Sequence, residues 1–106
     1  MTEKEMELVR KFKSLVEQKL HVHEMIVFGS RARGDADPES DLDILLVVEE
    51  PETNEVFEFV SGCGFDAGLE AGIVINSTVF SRDEWEHGPE RFGLLVLAIK
   101  KEGIPV

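Results

Sequence analysis

The chain has 106 residues, of which 22 are acidic and 11 basic, for a formal net charge of −11. That length predicts a single domain (residues 1–106) with a core of its own, these residues leaving no room for a second, substrate-selecting domain. The acidic balance argues against direct contact with nucleic acid, because Lys4, Arg10, Lys11, Lys13 and Lys19 are mixed with glutamates rather than clustered. A hydrophobic content of 42% excludes disorder, and one cysteine excludes an internal disulfide and fits a reducing cytoplasm. No run has the apolar core of a signal peptide or approaches the roughly 18 apolar residues of a membrane span.

Taken in order, Thr2 and Glu5 have the spacing of a capping box, and Met6, Val9, Phe12, Val16 and Leu20 recur every three or four residues. This predicts an amphipathic helix over residues 3–20, with Glu5, Glu7, Lys11, Lys13, Glu17 and Lys19 on a solvated face. His21 and His23 read as linker residues, since no further ligand stands at a sensible metal-binding spacing. Met25 to Phe28 predicts a strand ending at Gly29-Ser30, where Ser30-Arg-Ala-Arg33 opens as the first turn of a short helix. The next ten residues, with arginines, a glycine, a proline and several acids, cannot continue a buried strand. Asp41-Leu42-Asp43 then opens a second apolar strand running to Val48, and Glu49 to Asn54 reads as a solvated acidic turn.

A helix is predicted from about Glu55 to near Glu70, weakened by Gly62 and Gly64. Cys63 inside it has no neighbouring cation and reads as a structural thiol. Gly72 to Phe80 is rich in branched residues and predicts a third strand. Ser81 and Glu84 form a second capping box for a short helix to His87, Gly88-Pro89 breaks it, and Glu90 to Lys101 forms a last helix closed by Gly103 and Pro105. The predicted fold class is α/β of the α+β type: a small mixed β-sheet with helices packed on one face, leaving its carboxylate end accessible. Leu94, Leu95, Val96, Leu97 and Ile99 are more apolar than one core face requires, so part of the last helix is expected to meet a second copy or another protein.

The chemistry concentrates between Ile26 and Val48. On a strand, residues two apart share a face, so Asp41 and Asp43 project together while Leu42 points the other way. Two such carboxylates repel unless a cation sits between them, and magnesium suits an all-oxygen site that keeps places for water and phosphate. Gly29 lets backbone approach a ligand closely, and free amides at the Ser30 turn attract phosphate. Together these parts would hold a nucleoside triphosphate with magnesium and direct attack at phosphorus.

The string Phe28-Gly-Ser-Arg-Ala-Arg-Gly-Asp35, followed by Ser40-Asp-Leu-Asp43 and an apolar strand, resembles the signature of the DNA polymerase beta-type nucleotidyltransferases. Within that superfamily it is similar to the minimal nucleotidyltransferase (MNT) domains encoded beside HEPN-domain toxins. The resemblance implies a polymerase beta palm-like fold, Asp41 and Asp43 as metal-binding catalytic carboxylates, and Gly29, Ser30, Arg31 and Arg33 as nucleotide- and phosphate-binding residues. It also implies ATP as substrate, two Mg2+ ions when nucleotide is bound, and a HEPN-type RNase toxin as partner, either adenylylated on a tyrosine or silenced by binding alone. Transfer to a small-molecule, antibiotic-like hydroxyl is a further implied activity. The superfamily pattern has a third strand carboxylate, from which this chain departs. Asn76 lies in that region and cannot accept a proton near neutral pH, so Glu70, or failing it Asp66, is the candidate third catalytic acid.

Overall fold

In the computed structural model, which describes residues 1–89 and 93–106, the first capping box is complete. The Glu5 amide donates to Thr2 Oγ1 (3.1 Å) and the Thr2 amide to Glu5 Oε1 (2.7 Å). These bonds satisfy donors that a helix start leaves orphaned. They open α1 (Glu3–Val16), four residues shorter than the periodicity predicts because Glu17–Leu20 turns out of the helix with Leu20 still buried. There follow β1 (Val22–Phe28), α2 (Gly29–Arg33), β2 (Leu42–Val48), α3 (Asn54–Ala71) and β3 (Ile75–Ser81). The chain closes with α4 (Arg82–His87), α5 (Leu94–Glu102) and the two-residue strand β4 (Ile104–Pro105). Thr53 caps α3 by accepting from the Val56 amide (3.2 Å), and Ser81 caps α4 by accepting from the Glu84 amide (3.1 Å). The predicted start of the last helix at Glu90 lies outside the described residues.

The sheet order is β3-β2-β1-β4, with β1 antiparallel to both β2 and β4, and β2 parallel to β3, so the sheet is mixed as expected. Alternation along β2 decides the layers. Leu42, Ile44, Leu46 and Val48 join Phe12, Val16, Val60, Cys63 and Ala67 in one core, so α1 and α3 cover that face. Leu45 and Val47 point the other way and pack with Ile26, Trp85, Val96 and Ile99, so α4 and α5 cover part of the opposite face. The expectation of helices on one face is therefore corrected. A strand as continuously apolar as Ile44 to Val48 is buried on both sides, and burying such side chains contributes about 1.5–3 kcal/mol apiece. Asp43 belongs to the second face, at the end of β2 where the sheet meets α2. Trp85 sits toward the other end of this face, its indole Nε1 donating to Glu24 (3.1 Å) and its ring 5.6 Å from that of Phe80.

Candidate active site

Phe28, the last residue of β1, is the cross-strand partner of Asp43 on β2, so the first strand delivers the Gly29 turn directly beside a carboxylate. Gly29 has φ +78°, and a Cβ built on it would collide with Asp43 Oδ2. Two independent constraints thus select glycine, the left-handed backbone and the contact with the acid. Beyond Gly29, α2 starts without a side-chain cap, and Ser30 is half-buried in its first turn.

Asp41 is exposed immediately before β2, and fully buried Leu42 separates it from the half-buried Asp43. The Leu42 amide donates to the Val74 carbonyl (2.9 Å), where pairing with β3 begins. Asp43 is then in register with Asn76, whose Nδ2 donates to Asp43 Oδ1 (3.1 Å). One Asp43 oxygen is thereby engaged by Asn76 while the other faces Gly29. Asn76 occupies the cross-strand position from which a third strand acid would face the pair.

Arg31, expected among the phosphate-binding residues, is engaged by protein acceptors. Its guanidinium is buried and donates from Nη1 to Glu5 Oε2 (3.0 Å), from Nε to the Ser40 carbonyl (2.9 Å) and from Nη2 to the Pro38 carbonyl (3.2 Å). Arg31 therefore fastens α2, the N-terminus of α1 and the loop leading to Asp41 into one unit. Asp37 completes the loop by accepting from the Glu39 amide (2.9 Å) and the Ser40 hydroxyl (3.3 Å). Glu5, expected on a solvated face, is buried in this arrangement. Burial alone would raise its pKa, but the Thr2 and Arg31 hydrogen bonds outweigh that and hold it below the usual value. The sequence could not show this pair, because nothing local marks Glu5 apart from its capping role. Arg33 is exposed on α2 and donates to Asp35 Oδ2 (3.3 Å).

Glu70 is paired with Lys11 (3.1 Å) across α1 and α3, with its side chain 86% exposed. The structure thus gives it a partner on the helical layer and brings Asn76, not Glu70, to Asp43. Asp66 is likewise exposed on α3. Burial pushes the Cys63 thiol up, which removes nucleophilic character and fits a core residue. His21 pairs with Glu50 (2.7 Å), and His23 lies between Glu49 and Glu86 (3.8 and 3.5 Å), all remote from the Gly29 turn at the other end of the β1–β2 pair. Among the described residues no group of three or more His, Cys, Asp or Glu could hold a metal ion; the oxygen-bearing side chains at the strand ends are Asp43 with Asn76 bonded to it, and exposed Asp41 two residues earlier. That set suits magnesium, which commonly takes one or two carboxylates and completes its shell with water and substrate phosphates.

The nucleotidyltransferase domain family matches residues 6–98, a span containing the turn, the acid pair and all three long strands. The chain belongs to this family. A Methanocaldococcus jannaschii protein named "Putative protein adenylyltransferase" is 30% identical over 76 residues, covering 69% of this chain and 76% of that one. A crystal structure titled as a putative nucleotidyltransferase from Sulfolobus solfataricus aligns over 99% of this chain and 87% of that one, with 22% identity and a TM-score of 0.48. As a nucleotidyltransferase domain, the chain presents the Gly29 turn and the Asp41 and Asp43 positions on adjoining strand ends, with an asparagine beside the second acid. Among the described residues no helix is long and apolar enough to cross a membrane.

Proposed function

We propose that this chain transfers AMP from ATP to a hydroxyl of another protein, with Asp41 and Asp43 as the catalytic carboxylates. The observation that supports the reading is the close approach of the Gly29 turn to the Asp43 carboxylate, an arrangement in which backbone amides would hold phosphate beside an oxygen suited to a metal ion. Asp41 and Asp43 would hold Mg2+, with the Asn76 carbonyl near enough in the ladder to assist. Bound magnesium supplies a Lewis acid that neutralises triphosphate charge and acidifies the attacking hydroxyl. The hydroxyl oxygen bonds to the α-phosphorus, the bond to the β-bridging oxygen breaks, pyrophosphate leaves, and the hydroxyl proton passes to water. The amides at Ser30 orient the phosphates, and Arg33 is the basic side chain of α2 best placed to swing from Asp35 toward them. Arg31 positions the loop instead.

The biological role that fits is a cytoplasmic antitoxin acting on a HEPN-type RNase partner. A protein acceptor suits a minimal, acidic chain better than a polynucleotide, and the name carried by the M. jannaschii relative supports it. The exposed Leu94, Leu95 and Leu97 of α5 supply apolar surface for that partner. One observation favours a second reading, an antitoxin that acts by binding alone: Asn76 stands where a proton-accepting acid would serve catalysis.

The experiment is to incubate the chain, magnesium and the protein encoded beside it with α-labelled and, separately, γ-labelled ATP. Label on the partner from the α position, absent in the Asp41→Asn/Asp43→Asn variant, is expected. Label from the γ position, or label that persists in the double variant, would refute nucleotidyl transfer at this site. A partner that is silenced without acquiring label would establish the binding-only reading.

A further inference from the structure

β3 is an edge strand with an open side. The Leu42 amide bonds the Val74 carbonyl, so Val74 faces β2, and by strand alternation the amides and carbonyls of Ile75, Ser77 and Val79 face away from it. Among the described residues no strand pairs with that side. Residues 75–81 contain none of the charges or prolines that commonly protect an edge. At its start, between α3 and the segment leading into β3, lies an apolar groove of about 400 Å³ that reaches the strand at Ile75. Phe65, Leu69 and Val74 project there and are 67%, 68% and 65% exposed, with Gly68 and Ile75 along its base.

Charge narrows the occupant. Residues 54–81 hold Glu55, Glu58, Asp66 and Glu70, the last paired with Lys11 of α1, and no Lys, Arg or His, within a chain of net charge −11. A second copy would bring like charge against this edge, whereas a basic segment is attracted. The same edge continues to the acid pair through the Asp43–Asn76 register. A strand added along β3 would lie about 4.8 Å from it and about 10 Å from β2. Its alternate side chains would enter the apolar groove, and those between would share the face of Asp43.

We propose that the open edge of β3 is the docking site for an extended, basic segment of the acceptor protein. The segment adds as a fifth strand, with apolar side chains at every second position and basic or hydroxyl side chains between. This rests on the reading of the chain as a transferase acting on protein, and it assigns the surface that presents the acceptor to Asp41 and Asp43. Main-chain pairing supplies affinity and the groove supplies selectivity.

The test is read by binding, so it stands apart from whether transfer occurs. Two fluorescein-labelled synthetic decapeptides, alternating valine with lysine or valine with glutamate, are titrated into the full chain, and amide exchange is followed along β3. The lysine peptide is expected to bind at least about tenfold tighter than the glutamate peptide, and to slow exchange at Ile75, Ser77 and Val79 by about tenfold or more. Ser77→Pro removes one outward donor while sparing the bonds to β2, and Leu69→Lys alters the groove at an exposed position. Each should weaken the lysine peptide by about tenfold with the melting temperature and Mg·ATP binding preserved. Absence of binding, binding without protection of these amides, or binding that both variants leave intact would overturn the proposal. So would light scattering showing that the chain alone dimerises and that Ser77→Pro dissolves the dimer.

Discussion

Gly29→Ala separates backbone strain from damage to the site, because Gly72 provides a matched control. Both glycines have left-handed backbone, φ +78° at Gly29 and +69° at Gly72, so alanine costs about 1–2 kcal/mol at each. Near Gly72 an added Cβ meets nothing within 4 Å, whereas at Gly29 it overlaps Asp43 Oδ2. The Asp43 carboxylate must then retreat by on the order of 1 Å to reach ordinary van der Waals separation. A displacement of that size at reacting groups costs about 100-fold in rate. Both variants should therefore melt about 5–10 °C lower, while only Gly29→Ala loses about 100-fold in kcat/KM for AMP transfer at temperatures where both are folded. Thermal melts and single-turnover transfer measured on the same preparations decide it. Equal transfer by the two variants would refute the claim that the Gly29 turn and Asp43 form one site.

Removing one member of the buried Glu5–Arg31 pair, by Glu5→Gln or Arg31→Met, should destabilise by about 3–5 kcal/mol in urea melts. The double variant Glu5→Leu/Arg31→Met should recover much of that stability without recovering transfer, because the Ser40 and Pro38 carbonyls still lose their donor. Arg33→Ala should leave stability within about 0.5 kcal/mol and raise KM for ATP, the split that a phosphate contact produces and a surface ion pair does not. The hydrogen bond to Glu50 raises the His21 pKa above 6.5, so its stabilisation is full below that value and is lost as pH rises through the folded pKa. The Glu50 carboxyl is pushed up by burial but held below 4.5 overall by the His21 bonds, so its contribution is present above 4.5 and lost as pH falls through its folded pKa. His21→Gln should consequently lower the melting temperature most between pH 4.5 and 6.5, and progressively less as pH rises above that range through the folded His21 pKa. Asn76→Asp restores a strand acid beside Asp43, and should lower the melting temperature without magnesium, regain it with magnesium, and raise transfer by up to about 100-fold.

The parts of the candidate site whose placement in the fold was legible in the sequence were those written in short periods. Asp41 and Asp43 stand two apart on either side of an inward leucine, and Gly29 follows a strand end. Thr2 with Glu5 and Ser81 with Glu84 name their helix starts: the first box is complete, and Ser81 caps α4 by accepting from the Glu84 amide. The bond of Arg31 to Glu5 was not legible because the two stand 26 residues apart, and a guanidinium next to a turn reads equally as a phosphate ligand or as a clamp. Asn76 was visible as a departure, yet only the parallel register of β2 and β3 shows that it opposes Asp43. β4 escaped notice because two residues ending in proline carry no periodicity, and α4 and α5 were assigned to the wrong face because local apolar content does not say which side of a sheet it meets.

The most direct test of the account is a thermal shift with Mg·α,β-methylene-ATP, a nucleotide that cannot be cleaved at the reacting bond. At 100 times its Kd, binding should stabilise the wild-type chain by about 2.7 kcal/mol, on the order of 10 °C. The shift should require magnesium and vanish in the Asp41→Asn/Asp43→Asn variant, whose own melting temperature should lie near that of the wild type. An equal shift in that variant, or one that is indifferent to magnesium, would contradict the assignment of the active site to these two carboxylates.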